Sequence, residues 1–197
     1  MGPSIKIDIN QFFYEPILKS LHSNKKTVSI GNGFKMNTEI IDDFLESDLI
    51  KYLSNHFTLC PQQYGHSSTG KGNLWYSTNL DLHNPLYNFL CMKVGKLFPN
   101  SIQILRMYIN VQYCFMDGNF HTDDGDHTVL LMITPTLKKN SGQFQIKENN
   151  KKLKKIDFVQ NRLVKFPSSW NHKGCAPSEK NTPRITLAFK IRDYSCT

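Results

Sequence analysis

Apolar positions change their period about halfway along the chain. In "ESDLIKYLSNHF", Leu49, Ile50, Leu53 and Phe57 recur at three- and four-residue spacing, which gathers them on one helical face. Ser47 stands where an N-cap oxygen would satisfy a free amide. "NPLYNFLCMKVGKLFP" repeats the pattern: Asn84 can cap, Pro85 suits the first helical position, and Pro99 ends the run. Its Leu86, Phe89, Leu90, Val94 and Leu97 form a stripe suited to packing on a sheet. Between the two, "PQQYGHSSTGKGNLWYS" is rich in Gly and Ser and reads as a long loop followed by a strand. From about residue 101 the period shortens. "SIQILRMYINVQYCF" alternates or runs apolar, and "HTVLLMITP", "GQFQIKE", "KKLKKIDF", "NRLVKFP" and "RITLAFKIRD" follow at hairpin spacing. Strand after strand without an intervening helix implies an all-β sandwich or barrel. The economical expectation is one domain over 1–197, with a helical support region in 1–100 and a β core after it.

Composition narrows this picture. The chain has 197 residues, 39% hydrophobic and 12% aromatic, enough to bury a core of its own. It contains no run of 18 apolar residues, so no membrane partner is expected, and "MGPSIKIDIN" lacks the apolar centre of a secretory signal. Five cysteines (Cys60, Cys91, Cys114, Cys175 and Cys196) are odd in number, scattered and without a C-x-x-C pair. That favours reduced thiols in an intracellular compartment, the cytoplasm (a host's, for a viral protein). The formal charge of +8 would suit a polyanionic partner. Much of it lies in Lys138, Lys139, Lys147, Lys151, Lys152, Lys154 and Lys155, which equally describe a solvated hairpin. Gly70-Lys71-Gly72 is not a phosphate loop, because it lacks the flanking strand and helix and the Lys-Ser/Thr ending.

The candidate chemistry sits in "GNFHTDDGDH", residues 118–127, a charged and turn-prone run that leads directly into the apolar "TVLLMI". His121 and Asp123 are two apart, so on extended backbone both side chains point to one face. An isolated His172 follows the strand "RLVKF". Two imidazole nitrogens and one carboxylate oxygen on one face of a metal leave three positions open. That is the arrangement of non-haem Fe(II) oxygenases, whereas a structural zinc site closes its fourth position. Alone, His-x-Asp with a distant histidine reads first as a surface loop with a satisfied turn carboxylate. The balance changes with "NHKGCAPSEKNTPRITLAFKI", where Arg184 follows His172 by twelve residues at the head of the last strand.

Taken in order, these pieces resemble the Fe(II)- and 2-oxoglutarate-dependent dioxygenases, specifically the prolyl-4-hydroxylase-like group of phage and microbial genomes. The shared frame reads Arg106…Asn110, Asp117-Gly118, His121-Thr122-Asp123, "TVLLMI", Gly142-Gln143-Phe144, "RLVKF", His172 and Arg184-Ile185-Thr186-Leu187. It covers residues 101 to 192, and "IIDDFLES" resembles the usual lead-in to the N-terminal helices. The resemblance implies a double-stranded β-helix, or jelly roll, as the catalytic core over 101–192, with the site at its open mouth. It implies Fe(II) held by His121, Asp123 and His172, and 2-oxoglutarate and O2 as co-substrates. Arg184 would pair with the distal carboxylate, Asn110 and Thr186 would flank the co-substrate, and Tyr108 or Tyr113 would supply a tyrosine hydroxyl. The chain departs from the frame in having Gln112 where an aromatic is common, Phe115 where a Gly is common, and Ser141 before Gly142. Asp124, Asp126 and His127 read as rim residues.

The implied reaction is hydroxylation of a C–H bond coupled to oxidative decarboxylation of 2-oxoglutarate, on a prolyl or other side chain of a peptide or protein. Two alternatives stay open. One is oxidation of a nucleic-acid base, which the net charge favours; it is weakened by Lys190, because nucleic-acid demethylases carry a second arginine there. The other is a metal-free jelly-roll binding module. Residues 64 to 77 read either as a loop closing over a bound ligand, with Trp75 and Tyr76 as its apolar cover, or as a plain connector.

Overall fold

The structure, a computed structural model, describes residues 5–7, 37–67, 69–70, 72–148 and 152–194. In chain order the elements are β1 (Ile5–Ile7), β2 (Glu39–Ile41), α1 (Ser47–Leu59), β3 (Gln63–His66), β4 (Trp75–Asn79), α2 (Pro85–Gly95) and β5 (Ile102–Gln112). They continue as β6 (His127–Met132), β7 (Phe144–Lys147), β8 (Leu153–Ile156), β9 (Leu163–Pro167), β10 (His172–Gly174) and β11 (Arg184–Asp193).

The two longest strands, β5 and β11, pair antiparallel from Arg184↔Gln112 to Asp193↔Ile102 and form the spine. Around them the major sheet runs β2-β9-β6-β11-β5-β4-β3, with β1 also pairing β5, and a smaller sheet runs β10-β7-β8. Antiparallel strands divided between a large and a small sheet make the jelly roll that the resemblance implies, within the sandwich or barrel class that the strand pattern predicts.

The central strands β5, β6, β9 and β11 send alternate residues to opposite faces of the major sheet, and each face has its own core. On one face the helices pack: Ile50, Leu53 and Phe57 of α1 and Leu90 and Val94 of α2 join Ile109, Leu131 and Leu187 in a continuous cluster. On the other, Leu130, Val164 and Ala188 meet Phe144, Ile146 and Ile156 of the small sheet. Burial of each large apolar side chain of this kind contributes roughly 1.5–3 kcal/mol. Asn161 joins the two halves of the chain: its side chain accepts from Leu45 N–H at 2.9 Å and donates to Leu45 O at 2.7 Å. Its φ of 66° lies in the left-handed region that asparagine tolerates better than most residues.

Local details differ from the sequence reading where a cap or a phase was misplaced. Ser47 is the first helical residue rather than the cap, because the carbonyl of Glu46 already accepts from Ile50 N–H. Asn84 does cap α2, its side chain accepting from Leu86 N–H at 3.0 Å. The helix ends at Gly95, before Pro99, and its buried face is Tyr87, Leu90, Cys91 and Val94, leaving Phe89 exposed. Of the stretch that reads as a long loop followed by a strand, the strand is β4, and the start of the loop is a further strand, β3, because Gln63 and Tyr64 pair with Ser77 and Tyr76.

Candidate metal centre and adjoining cavities

His121 and Asp123 lie on extended backbone just before β6, and His172 opens β10. Reciprocal backbone bonds tie the histidines together, His121 N–H to His172 O at 3.1 Å and His172 N–H to His121 O at 2.9 Å. Asp123 N–H donates to Ser168 O at 2.8 Å, which fixes the third residue. The ligand atoms of His121, Asp123 and His172 all lie within 4.8 Å of one another, and no second cluster of this kind occurs among the described residues.

The tautomers follow from the hydrogen bonds. Nδ1 of His121 sits 2.9 Å from Asn119 O, and Nδ1 of His172 sits 2.8 Å from Trp170 O. A carbonyl only accepts, so both Nδ1 atoms carry the proton, and both Nε2 lone pairs are turned toward Asp123. His172 Nε2 lies 3.0 Å from Asp123 Oδ2, and His121 Nε2 lies 3.6 Å from Oδ1. In neutral imidazoles these are acceptors facing acceptors, and a proton or a metal ion must stand between them. That donor set fits a metal.

Electrostatics keeps the carboxylate charged. Burial would push the Asp123 carboxyl up, but the His172 ring beside it and the Lys190 ammonium override this and hold it well below the usual range. Burial, with His172 close by, pushes the His121 imidazole down from its ordinary value. Both effects favour the deprotonated forms that ligate metals.

The three residues stand where two cavities meet. The outer one, about 550 Å³, is lined by the β3–β4 hairpin, Arg106, Thr122, Asp123 and Asp124. The inner one is narrow; Tyr108, Asn110, Leu130, Phe166, Thr186 and Ala188 wall it, and Arg184 closes its far end. His66, Tyr108 and His121 line both.

Arg184 is 2% exposed. Its Nε donates to Gly142 O at 2.8 Å and its Nη1 to Gln112 Oε1 at 2.7 Å, while Nη2 is buried with no partner. Burial pushes the guanidinium down to about 10, still a full cation at neutral pH. An orphaned, charged N–H at the end of a narrow cavity fits an incoming carboxylate, since leaving it unpaired costs about 1–3 kcal/mol or more. Gly174 makes room for it: a Cβ there would lie 2.9 Å from Arg184 Nη1.

Of the residues singled out in the sequence, Asn110, Tyr108, Thr186 and Arg184 line the inner cavity together with His121 and His172. Tyr113 does not. Its ring stands edge-on to Tyr76, 6.2 Å away, and packs with the helix-side core, because it follows the end of β5 and turns to the other face. Trp75 is not an exposed cover: it is 5% exposed, lines the inner cavity and donates from Nε1 to Asn110 Oδ1 at 3.1 Å. Asp124 pairs with Arg106 at 3.0 Å, and His127 turns to Asp193 at 3.8 Å, both outside the triad. Two residues of the site were missed. Gln112 was read only as a departure, yet it pairs with Arg184 directly across the strands. Lys190 stands where the sequence comparison expects an arginine, and it ion-pairs with Asp123. Phe115, where a glycine was expected, has a φ of 72°, so the position does demand left-handed backbone.

No family model matches the chain, and no curated protein matches it in sequence. Solved structures do share the fold. A prolyl hydroxylase from Trichoplax adhaerens, in complex with a hypoxia inducible factor oxygen degradation domain peptide fragment, aligns with a TM-score of 0.66 at 16% identity, covering 82% of this chain and 86% of that one. A prolyl-4-hydroxylase from Pseudomonas putida gives a TM-score of 0.64 at 13% identity, covering 80% and 94%. A viral collagen prolyl hydroxylase from Paramecium bursaria Chlorella virus-1, in its 2-oxoglutarate complex, gives 0.58 at 14% identity, covering 78% and 94%. At these identities the likeness establishes the fold alone, the jelly roll that these solved structures share.

Proposed function

We propose that the protein is a non-haem Fe(II)- and 2-oxoglutarate-dependent oxygenase that hydroxylates a side chain, prolyl first among them, in a peptide or protein. One observation carries the reading: a His-Asp-His donor set with both Nε2 atoms turned inward, beside a narrow cavity that ends on an unpartnered arginine N–H. When bound, Fe(II) with 2-oxoglutarate and O2 supplies oxidative decarboxylation coupled to C–H hydroxylation.

The chain's own residues divide the remaining work. His121, Asp123 and His172 would hold the metal where the two cavities meet. Arg184 Nη2 receives the distal carboxylate of the co-substrate, with Thr186, Asn110 and Tyr108 along its length. Leu130, Phe166 and Ala188 exclude water from that cavity, which strengthens every charge interaction inside it. The outer cavity takes the substrate, its walls being the β3–β4 hairpin, Arg106 and Asp124. The peptide reading is supported by the Trichoplax adhaerens structure, which holds a peptide on the same fold.

A second reading, oxidation of a nucleic-acid base, is favoured by one feature. Lys147 and Lys173 stand 4.3 and 5.4 Å from the centre of the Phe120 ring, beside His121, as a cationic aromatic platform would. Succinate release and gain of one oxygen atom, measured by mass spectrometry over peptide and oligonucleotide panels with Fe(II), decide between the two. Turnover on a prolyl peptide and none on oligonucleotides is expected. Turnover on oligonucleotides alone would reverse the assignment, and no succinate under any condition would remove both.

A further inference from the structure

We infer that Lys190 is a positioning residue of the metal centre, which holds one oxygen of Asp123 and supplies positive charge that opposes binding of the metal alone while favouring the dianionic co-substrate after it. The inference rests on the reading of the site just given.

Along β11 the residues facing the inner cavity are Arg184, Thr186, Ala188 and Lys190, while Ile185, Leu187, Phe189 and Ile191 face the helix-side core. A cation thus stands at each end of the row. Lys190 is 1% exposed. Burying an ammonium is costly unless it is paired, and an apolar side chain would fill the same space at no such cost. Its Nζ ion-pairs with Asp123 Oδ2, lies 3.4 Å from Thr128 Oγ1 and sits 5.4 Å from the centre of the Tyr108 ring. Thr128 Oγ1 donates to the same Oδ2 at 2.8 Å. Two donors of the chain therefore hold Oδ2, which His172 Nε2 also faces at 3.0 Å, whereas Oδ1 faces His121 Nε2 at 3.6 Å. The two donors thereby fix the carboxylate against the two imidazole Nε2 atoms.

The charge has a second consequence. Across the triad and the inner cavity, Asp123 is set against two buried cations, Lys190 beside it and Arg184 at the other end of the row. A divalent ion entering by itself meets a net positive pocket and competes with Lys190 for Asp123. A dianion entering afterwards meets a more positive pocket than the metal and Arg184 alone would make. In a dry site these interactions are large. Removing the charge at position 190 should therefore move the two affinities in opposite directions. A lysine that merely filled space would, when replaced, weaken both together.

The test is calorimetric titration of Mn(II) into the wild-type protein and the variants, then of 2-oxoglutarate into each Mn(II)-loaded protein. Lys190→Met is expected to bind Mn(II) about tenfold more tightly and 2-oxoglutarate about tenfold more weakly, a factor that corresponds to about 1.4 kcal/mol each. Lys190→Gln keeps a donor for Asp123 without the charge, and should shift both affinities in the same directions if Lys190→Met does not fold. Lys190→Arg should keep the wild-type order. Weaker Mn(II) binding, or unchanged 2-oxoglutarate binding, in the uncharged variants overturns the inference while leaving the proposed function standing. Wild-type protein that binds neither Mn(II) nor 2-oxoglutarate overturns both.

Discussion

The two faces of strand β11 share one backbone and one set of ladder hydrogen bonds, yet they do different work. Toward the helices, Ile185, Leu187, Phe189 and Ile191 are at most 1% exposed among other apolar side chains. Toward the small sheet, Arg184, Thr186 and Lys190 are just as deeply buried and are polar or charged. The first face stabilises by contact alone. The second carries desolvated groups whose cost is offset partner by partner: Lys190 by Asp123, Arg184 by Gln112 and Gly142 O. What is left without a partner, the Nη2 of Arg184, marks where a ligand's charge belongs. The difference teaches that a stable face supports an unfavourable one across a single strand, and that substitutions on the two faces should fail in different ways.

The strongest way to break the comparison is to empty the inner face. His121→Ala and His172→Ala should each abolish stoichiometric metal binding and all Fe(II)-dependent turnover, with the circular dichroism of the fold retained. Asp123→Ala should do the same and also destabilise the metal-free protein by about 3–5 kcal/mol, because it strands the Lys190 charge. Alanine at Asp124 or His127, which lie outside the cluster, should leave metal stoichiometry intact; loss there would mean the ligands are wrongly assigned. On the opposite face, Phe189→Ala should cost about 3–5 kcal/mol in urea denaturation. The KM for 2-oxoglutarate of its folded fraction should not change, and a raised KM would show that the two faces are not separable.

A smaller effect sharpens the inner face further. Arg184→Ala should raise the KM for 2-oxoglutarate roughly tenfold or more, since a charge-assisted pair to a buried carboxylate is lost, and should leave the metal bound. An unchanged KM would hand the distal carboxylate to another cation. Lys165 is not that cation, because it points away to Glu39 and Leu97 O at 3.3 and 3.2 Å. The smallest effect belongs to the β3–β4 hairpin, where Tyr64, Gly65, His66 and Ser67 border the outer cavity. If the hairpin closes over substrate, their amides should gain modest protection from hydrogen exchange when substrate and 2-oxoglutarate are both present. Identical exchange with and without them would make it a static wall.

Much of this was legible in the sequence because period and turn residues are local properties. The six strand runs after residue 101 became β5, β6, β7, β8, β9 and β11, and the two amphipathic runs became α1 and α2. His121 and Asp123 were legible because two residues on an extended segment share a face. What escaped depends on pairing between distant segments. Gln112 acquires its role from the register that sets it opposite Arg184, and β10 is a three-residue strand defined by its partner β7. Lys190 could have been found, since the period of two that starts at Arg184 reaches it in three steps. Trp75 misled because an aromatic next to glycines suggests a mobile cover, whereas the pairing of β4 with β5 brings it beside Asn110 and buries it.

Anomalous diffraction from crystals of the protein with Mn(II) and 2-oxoglutarate tests the central claim most directly. A single peak bound by Nε2 of His121, one oxygen of Asp123 and Nε2 of His172 is expected, with the distal carboxylate of 2-oxoglutarate on Nη2 of Arg184. A metal held elsewhere, or a carboxylate turned away from Arg184, would contradict it.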